Sequence, residues 1–441
     1  MADINGLRLY PEENIQNIAD ILRAGYGNSS TYTIGQMASG ILNVPSGSGD
    51  EAQFLSILSS TTTLISVFNT YSPQLSKIKP YLFNGVTTGL QSIYLPECEE
   101  IGTFAFYANT SISSISLPKV KIIRDGAFWN VNNAALSSYI LYLPECTYIE
   151  ERGFALTKFS SINLPKCTKL GTTTFIDINR YSSGAFASMS SYLTNISLPL
   201  CSFLGCGTFF KAPFSSVNLP EVITTGAFAF YTCPNLISVS LPKCIEVGSS
   251  AFYTCSKLTT VNLQSCETLY QNAFSGCYSL TEIYLPKVKT MSSRVFQNCS
   301  LLSSVSLPVC TNIHASAAFG SCSSLTIISL PALISFDGVS GWRDSGCFDK
   351  CINLSVINLP KYTGTIFKYH FRSCYNLLSL YLGGSTVCTL ESTDAFTSTP
   401  ISNYTTSTGG VQGSIYVLSS LYNSYKTATN WVTYSNRFAS Y

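Results

Sequence analysis

A solenoid of stacked short repeats, with parallel strands on one side and turns or short helical segments on the other, is the fold class this sequence predicts. Three observations carry it. The string L-x-x-[IV]-x-L-P recurs, as in Leu236-Ile237-Ser238-Val239-Ser240-Leu241-Pro242, and its last Leu falls at 95, 117, 143, 164, 198, 219, 241, 263, 285, 307, 330, 359 and 382. These thirteen copies lie mostly 21 to 23 residues apart. A Phe, usually preceded by Ala, follows about eleven residues later, at 106, 128, 154, 186, 210, 230, 252, 274, 296, 319, 348 and 371. The period is too short for helical repeats, which run longer than about 30 residues.

Each copy reads as one short strand of period-2 alternation with its Leu, Ile/Val and Leu inward. A Pro then ends ladder pairing, and a turn carries the buried Phe. A unit this short cannot bury its own apolar face, so stacked neighbours must do so.

The ends read differently. Residues 11–24 place Ile15, Ile18, Ile21 and Leu22 on one helical face, stopped by Gly25 and Gly27, and a second short helix is expected over 33–42. Residues 1–45 are therefore expected to be a helical N-terminal segment, 46–61 a linker, 62–385 the solenoid and 386–441 a C-terminal cap. Within the cap, Ile415 to Val417 suggests a last strand and Leu421 to Trp431 a closing helix.

The combination of L-x-x-I-x-L-P, I-G-x-x-A-F (Ile101-Gly102 with Ala105-Phe106) and C-x-x-L (Cys255 with Leu258) resembles the BspA-like leucine-rich-repeat family. That resemblance implies a leucine-rich-repeat solenoid and a bacterial surface-displayed or phage-related protein used in binding or adhesion, with ligands that vary across the family. Leu263-Gln264 and Leu382-Gly383 depart from the pattern by lacking the Pro, and three repeats depart by being stretched. The two ends resemble those of leucine-rich-repeat proteins encoded in prophage tail regions.

Composition narrows function. Of 441 residues, 46% are hydrophobic and only 11% charged, and the net charge of +2 gives no reason to expect nucleic acid or an anionic membrane as partner. No 18-residue apolar run and no leader pattern is visible, so neither membrane insertion nor a secretory signal is expected.

Seven of the 17 Cys stand three residues after the strand Leu and seven more three after the Phe. Val occupies the same positions in other copies, such as Val120 and Val131, so the sites want a small apolar side chain. A disulfide framework is the rival, but stacked equivalents point their Cβ atoms in parallel and miss the required dihedral. Free, buried thiols are expected, and with them folding in a reducing compartment before later exposure at a virion or cell surface.

Chemistry is sparse. There is no C-x-x-C pair and only His314 and His370, so no metal, cofactor or catalytic centre is expected. Carboxylate pairs such as Glu99-Glu100 and Glu150-Glu151 sit in turns without a cleft between them. After the strand Pro, Glu97, Lys119, Glu145 and Lys166, then Glu221 and Lys243, alternate in sign from copy to copy.

What remains is the outward side of the strands. The residue between the inward Ile/Val and the last Leu is Tyr94, Ser116, Tyr142, Asn163, Ser197, Asn218, Ser240, Asn262, Tyr284, Ser306, Ser329, Asn358 or Tyr381. Tyr offers large contact area at low entropic cost, and Ser and Asn offer adaptable hydrogen bonds. A solvated strand face favours the same residues, so both readings stand. Tyr94, Tyr142, Asn163, Asn218, Asn262, Tyr284, Asn358 and Tyr381 are the candidate ligand-binding residues. Trp129 and Trp342, in stretched copies, are candidate loop anchors. The expected function is non-enzymatic recognition of a protein or carbohydrate on a cell surface, in a phage-associated setting. The alternatives are a bacterial surface adhesin, or a structural scaffold docked into a larger particle through the N-terminal helical segment.

Overall fold

The computed structural model describes residues 75–171, 185–188, 193–338, 346–402 and 412–441, together with the strand pair Asp3–Ile4 and Leu7–Arg8. The expected helices over 11–24 and 33–42, the linker, and Trp342 lie outside the described residues. So does most of the N-terminal segment on which the likeness to prophage tail proteins and the docking reading rested. Asp3–Ile4 and Leu7–Arg8, within the segment expected to be helical, pair antiparallel.

The chain forms two compact units, Met1–Cys167 and Thr168–Tyr441. Both are leucine-rich-repeat solenoids. In the first, three-residue strands Ser92–Tyr94 and Ser114–Ser116 pair parallel and in register, as do Ile140–Tyr142 and Ser161–Asn163. In the second, Ser216–Asn218, Ser238–Ser240 and Thr260–Asn262 pair the same way. The middle residue of these strands points inward; Ile93, Ile115, Val217 and Val239 are all buried.

Each repeat also carries a second strand that the sequence pattern did not announce. Lys77–Ile78, Glu100–Ile101, Ile122–Ile123 and Tyr148–Ile149 form one parallel ladder in the first unit. Lys169–Leu170, Phe203–Leu204, Thr224–Thr225, Glu246–Val247, Thr268–Leu269, Thr290–Met291, Asn312–His314 and Ser335–Asp337 form another in the second. Two residues leave one inward side chain per strand, too short for alternation to be visible.

The third side is the Phe turn, whose backbone alternates in hand. The residues two before and two after the buried Phe have positive φ, as at Ser250 (55°) and Thr254 (53°) around Phe252. This alternation aims three amides along the stack: Ser250, Phe252 and Thr254 donate to Gln271, Ala273 and Ser275 of the next repeat, each at 2.8 Å. The intervening amides close short turns within the repeat, as Tyr253 does onto Ser250 at 3.2 Å. A left-handed non-Gly residue costs roughly 1–2 kcal/mol, which the inter-repeat hydrogen bonds and the core ring offset.

Those rings stack face to face. Phe83, Phe106, Phe128 and Phe154 lie 5.4, 5.0 and 5.0 Å apart in the first unit. In the second, the stack runs from Phe186 through Phe209 and Phe230 onward to Phe396. The ring expected at Phe210 is supplied by Phe209 instead; Gly207 and Lys211, the two positive-φ residues, centre the turn on 209. Two adjacent Phe left the register ambiguous in sequence.

Beyond Phe396 the repeat persists further than expected. Ser414–Val417 pairs with Ser379–Leu382, and Phe438–Ser440 adds another parallel strand. The closing helix is only Tyr422–Thr427, followed by a 3-10 turn over Trp431–Tyr434. Trp431, fully buried, covers Phe396 and donates its indole N–H to the Cys388 carbonyl at 2.8 Å. Where Gly383 replaces the usual Pro, its amide donates to Leu359 and lengthens the ladder by one bond.

Candidate functional site

On the outward strand face, alternation leaves every second side chain free of the core. Tyr94, Tyr142 and Tyr284 are 55%, 54% and 54% exposed, large apolar surfaces for unburied side chains. Register sets small residues beside them: Ser116 next to Tyr94, Asn163 next to Tyr142 and Ser306 next to Tyr284. The polar members tie neighbouring strands together. Ser114 donates to Ser92 at 2.8 Å, Asn262 Nδ2 to Ser240 at 3.2 Å, and Asn358 Nδ2 to Ser329 at 3.2 Å. Asn218 is exposed, whereas Asn163, Asn262 and Asn358 are half-buried. Among the described residues, the Oδ1 of Asn262 is buried without a partner. Two residues earlier on this face stand mostly Ser, Thr and Asn, but Ile140 and Ile327 there are 60% and 58% exposed.

Tyr381 differs from the other three tyrosines. It is half-buried, stacks on Tyr416 with centroids 4.4 Å apart, and meets Tyr441 edge-on at 6.0 Å. The structure thus gathers three aromatic residues there and leaves Tyr94, Tyr142 and Tyr284 apart.

Trp129 follows the core Phe128 directly and occupies a regular turn position. The extra residues of its repeat instead form the 3-10 turn Ala134–Ser138, capped by Asn133 Oδ1, which accepts from Ala135 N–H. Trp129 packs against Tyr107 at 5.0 Å and beneath the Arg152 guanidinium, 5.0 Å from the ring. Arg152 is held by both carboxylate oxygens of Asp125. The second unit repeats the theme, with Phe210, Tyr231 and Tyr253 stacking at 5.3 and 5.0 Å. In each unit these rings form an aromatic column on the turn edge that sequence reasoning missed. The readable signal was an aromatic residue directly after the core Phe, visible once Phe209 is taken as the anchor.

The remaining candidates are structural. All 17 cysteines are buried, and none forms a disulfide. In the turn column each thiol donates to the Phe carbonyl of the previous repeat, for example Cys277 to Phe252 at 3.2 Å and Cys351 to Phe319 at 3.0 Å. In the other column the thiol reaches the carbonyl two residues on, as Cys244 does to Glu246. Burial pushes the Cys299 and Cys351 thiols up to about 12, which suppresses the reactive thiolate there. His370 is fully buried, and burial pulls it down to about 4; its Nδ1 accepts from the Phe367 amide at 2.7 Å. His314 Nδ1 accepts from Ser316 N–H.

The paired carboxylates Glu99, Glu100 and Glu150 are engaged in ion pairs, and Glu100, expected in a turn, lies in a strand of the second ladder. Glu99 is lowered by its hydrogen bond to Lys121. Partial burial would raise Glu100, but Lys77 and Arg124 outweigh it and hold it low. The alternating charges pair between adjacent repeats as Glu97–Lys119, Glu145–Lys166 and Glu221–Lys243, each at 2.7 Å. Among the described residues, no cluster of three or more His, Cys, Asp or Glu could hold a metal ion, and no helix is long and apolar enough to cross a membrane.

Comparison with known proteins bears on this architecture directly. The model of the BspA type leucine-rich-repeat region matches in six copies, over residues 62–181, 179–302, 245–337 and 289–413. The chain belongs to the BspA type leucine-rich-repeat family. Repeats of this family serve as binding scaffolds, and nothing in the described residues points to catalysis. The solved structure of a leucine-rich repeat protein from Bacteroides ovatus ATCC 8483 is similar: 23% identity over 72% of this chain and 87% of that one, TM-score 0.47. A leucine rich cell surface protein from Faecalibacterium prausnitzii A2-165 is similar at 18% identity, over 70% of this chain and 84% of that one, TM-score 0.39. No curated protein matches the chain.

Proposed function

We propose that this chain is a non-enzymatic recognition module that binds a protein or glycan on a cell surface through the outward strand faces of its two units. The observation that supports this reading is the state of Tyr94, Tyr142 and Tyr284. Most aromatic side chains of the described residues stack or pack inside, whereas these three stand more than half exposed beside Ser or Asn. Covering one such ring is worth roughly 1.5–3 kcal/mol at about 25 cal/mol per Å², an affinity source that the folded chain leaves unused. The hydroxyl and amide groups around the rings supply hydrogen bonds without the desolvation cost of charges. Surface display, as in the cell surface protein of F. prausnitzii, fits a module of this kind.

The test is adsorption of the fluorescently labelled protein to bacterial and epithelial cells and to a glycan array. The variant carries Tyr94→Ala, Tyr142→Ala, Tyr284→Ala and Tyr381→Ala together. Loss of adsorption with an unchanged circular dichroism spectrum is expected; equal adsorption by the variant would overturn the reading.

A further inference from the structure

Directly after the strand Pro of the first unit, Glu97, Lys119, Glu145 and Lys166 hold the same position in four successive repeats. Parallel register stacks these repeats about 4.8 Å apart, with Tyr94 beside Ser116, Ile122 beside Tyr148 and Tyr142 beside Asn163. The row therefore reads minus, plus, minus, plus along the stack. Glu97 pairs with Lys119 and Glu145 with Lys166, each at 2.7 Å, yet all four side chains stay about half-exposed. The fold does not demand charge at this position. In the second unit Leu200, Ser265, Val309 and Ala332 also occupy it, and the longest alternating run there is the single pair Glu221 and Lys243. Exposed ion pairs add little to stability, so four alternating repeats in a row call for a second reason.

We propose that the first unit pairs with a second copy of this chain as an antiparallel two-fold dimer, through the row from Glu97 to Lys166. The proposal goes beyond the recognition role above and does not rest on it. Read backward, the row is its own complement. With the axis between the Lys119 and Glu145 repeats, Glu97 faces the partner's Lys166 and Lys119 faces the partner's Glu145, and symmetry supplies the reverse contacts. A parallel two-fold would instead set Glu97 on the partner's Glu97, and a slip by one repeat would set Glu97 on the partner's Glu145. Charge thus selects both the direction and the register of the pair. The neighbouring charges add no net field: Lys121 is paired with Glu99 at 2.8 Å, while Lys77 and Arg124 share Glu100 and Glu150 at 2.6 to 3.0 Å. Pro96, Pro118, Pro144 and Pro165, which precede the four charges, carry no N–H and offer no competing donor. A contact about 15 Å long is small, so the dimer is weak and sensitive to salt.

The experiment is analytical ultracentrifugation of the full chain over a range of concentrations, at about 20 mM and about 500 mM sodium chloride. A dimer at low salt is expected, with a dissociation constant that rises about tenfold or more at high salt. Two charge swaps separate pairing between copies from pairing within one. Glu145→Lys with Lys166→Glu keeps both internal ion pairs but turns the row into minus, plus, plus, minus, which sets like on like across the two-fold; the dimer should be lost. Adding Glu97→Lys and Lys119→Glu reverses the whole row, again keeps the internal pairs and restores opposite signs across the axis; the dimer should return. A wild-type chain that stays monomeric at low salt, a dimer indifferent to salt or to the double swap, or a fully swapped chain that stays monomeric at an unchanged melting temperature would each overturn the proposal. Should a swap lower the melting temperature, Glu145→Gln with Lys166→Gln takes its place. That variant should weaken the dimer about tenfold, and an unweakened dimer would count against the proposal. Cell adsorption is not read in this experiment, so its outcome leaves the recognition role to its own test.

Discussion

The thiol of Cys255 donates to the carbonyl oxygen of Phe230, one repeat earlier, at 3.0 Å. That carbonyl already accepts the Cys233 amide, so the thiol fills its second lone pair inside a fully buried stack. The same bond recurs from Cys233 to Phe209 and from Cys299 to Phe274. The column therefore asks for more than a small apolar side chain. Cys255→Val keeps most of the volume and loses the bond, and should lower stability by about 0.5–1.5 kcal/mol. Urea unfolding followed by circular dichroism measures this; an unchanged midpoint would remove the hydrogen bond from the account.

Alkaline pH should unfold the chain through Cys146, Cys201 and Cys244, thiols of the other column. Burial raises them in the folded state, to about 12 at Cys146, Cys201 and Cys244, against 9.0 for an unperturbed thiol. A group raised on folding is fully stabilising below its unfolded value and loses that contribution as pH climbs toward the folded one. Stability should therefore fall progressively from about pH 9 toward 12, more steeply than one thiol alone would give. Melting temperature across that range reads the effect, and Cys146→Val with Cys244→Val should flatten the slope.

Acid acts through a different residue. His370 is pulled down to about 4 by burial, and among the described residues its Nε2 has no partner to welcome a proton. The unfolded chain takes up that proton near 6.5 while the folded chain resists it. The contribution is intact above 6.5 and is lost as pH falls toward 4, by about 3 kcal/mol at most. His370→Gln should remove this component of the acid transition, seen as a smaller drop in melting temperature between pH 7 and 4.

Three glycines separate backbone hand from close approach. Gly85, at φ 74°, has open space where a Cβ would sit, so Gly85→Ala should cost only the left-handed penalty of about 1 kcal/mol. At Gly102 a Cβ would fall 2.5 Å from the backbone nitrogen of Pro80 and 2.7 Å from the Ile78 carbonyl, atoms that cannot step aside. Gly102→Ala should cost more, about 2–3 kcal/mol. Gly126→Ala, 2.5 Å from the Phe104 ring, should fall between them because a side chain can yield. Urea midpoints of the three variants give the order, and equal midpoints would contradict it.

Much of this fold was legible because two anchors repeat. Leu95, Leu117 and their successors, with Phe106 and Phe128, declare period, inward face and stacking direction. The second strand was not legible, since Glu100–Ile101 or Thr224–Thr225 offers a single inward residue and no alternation. Nor was the Phe209 register, because Phe210 is an equally good hydrophobic match. The outward column from Tyr94 to Tyr381 could be read, yet sequence could not distinguish a solitary exposed Tyr284 from a Tyr381 stacked on Tyr416. That difference depends on a strand after the last recognisable copy. The aromatic edge of Tyr107 and Trp129 was hidden for a similar reason: its members mean little until the turn places them one above another.

On the proposed function, exposed tyrosines on the outward strand faces make this chain a binding module. Its most direct test is the dissociation constant for surface-bound cells or arrayed glycans, measured for the wild type and for the chain with Tyr94, Tyr142, Tyr284 and Tyr381 changed to Ala. Loss of at least tenfold in affinity at unchanged melting temperature is predicted; equal affinity in the two chains would contradict the account.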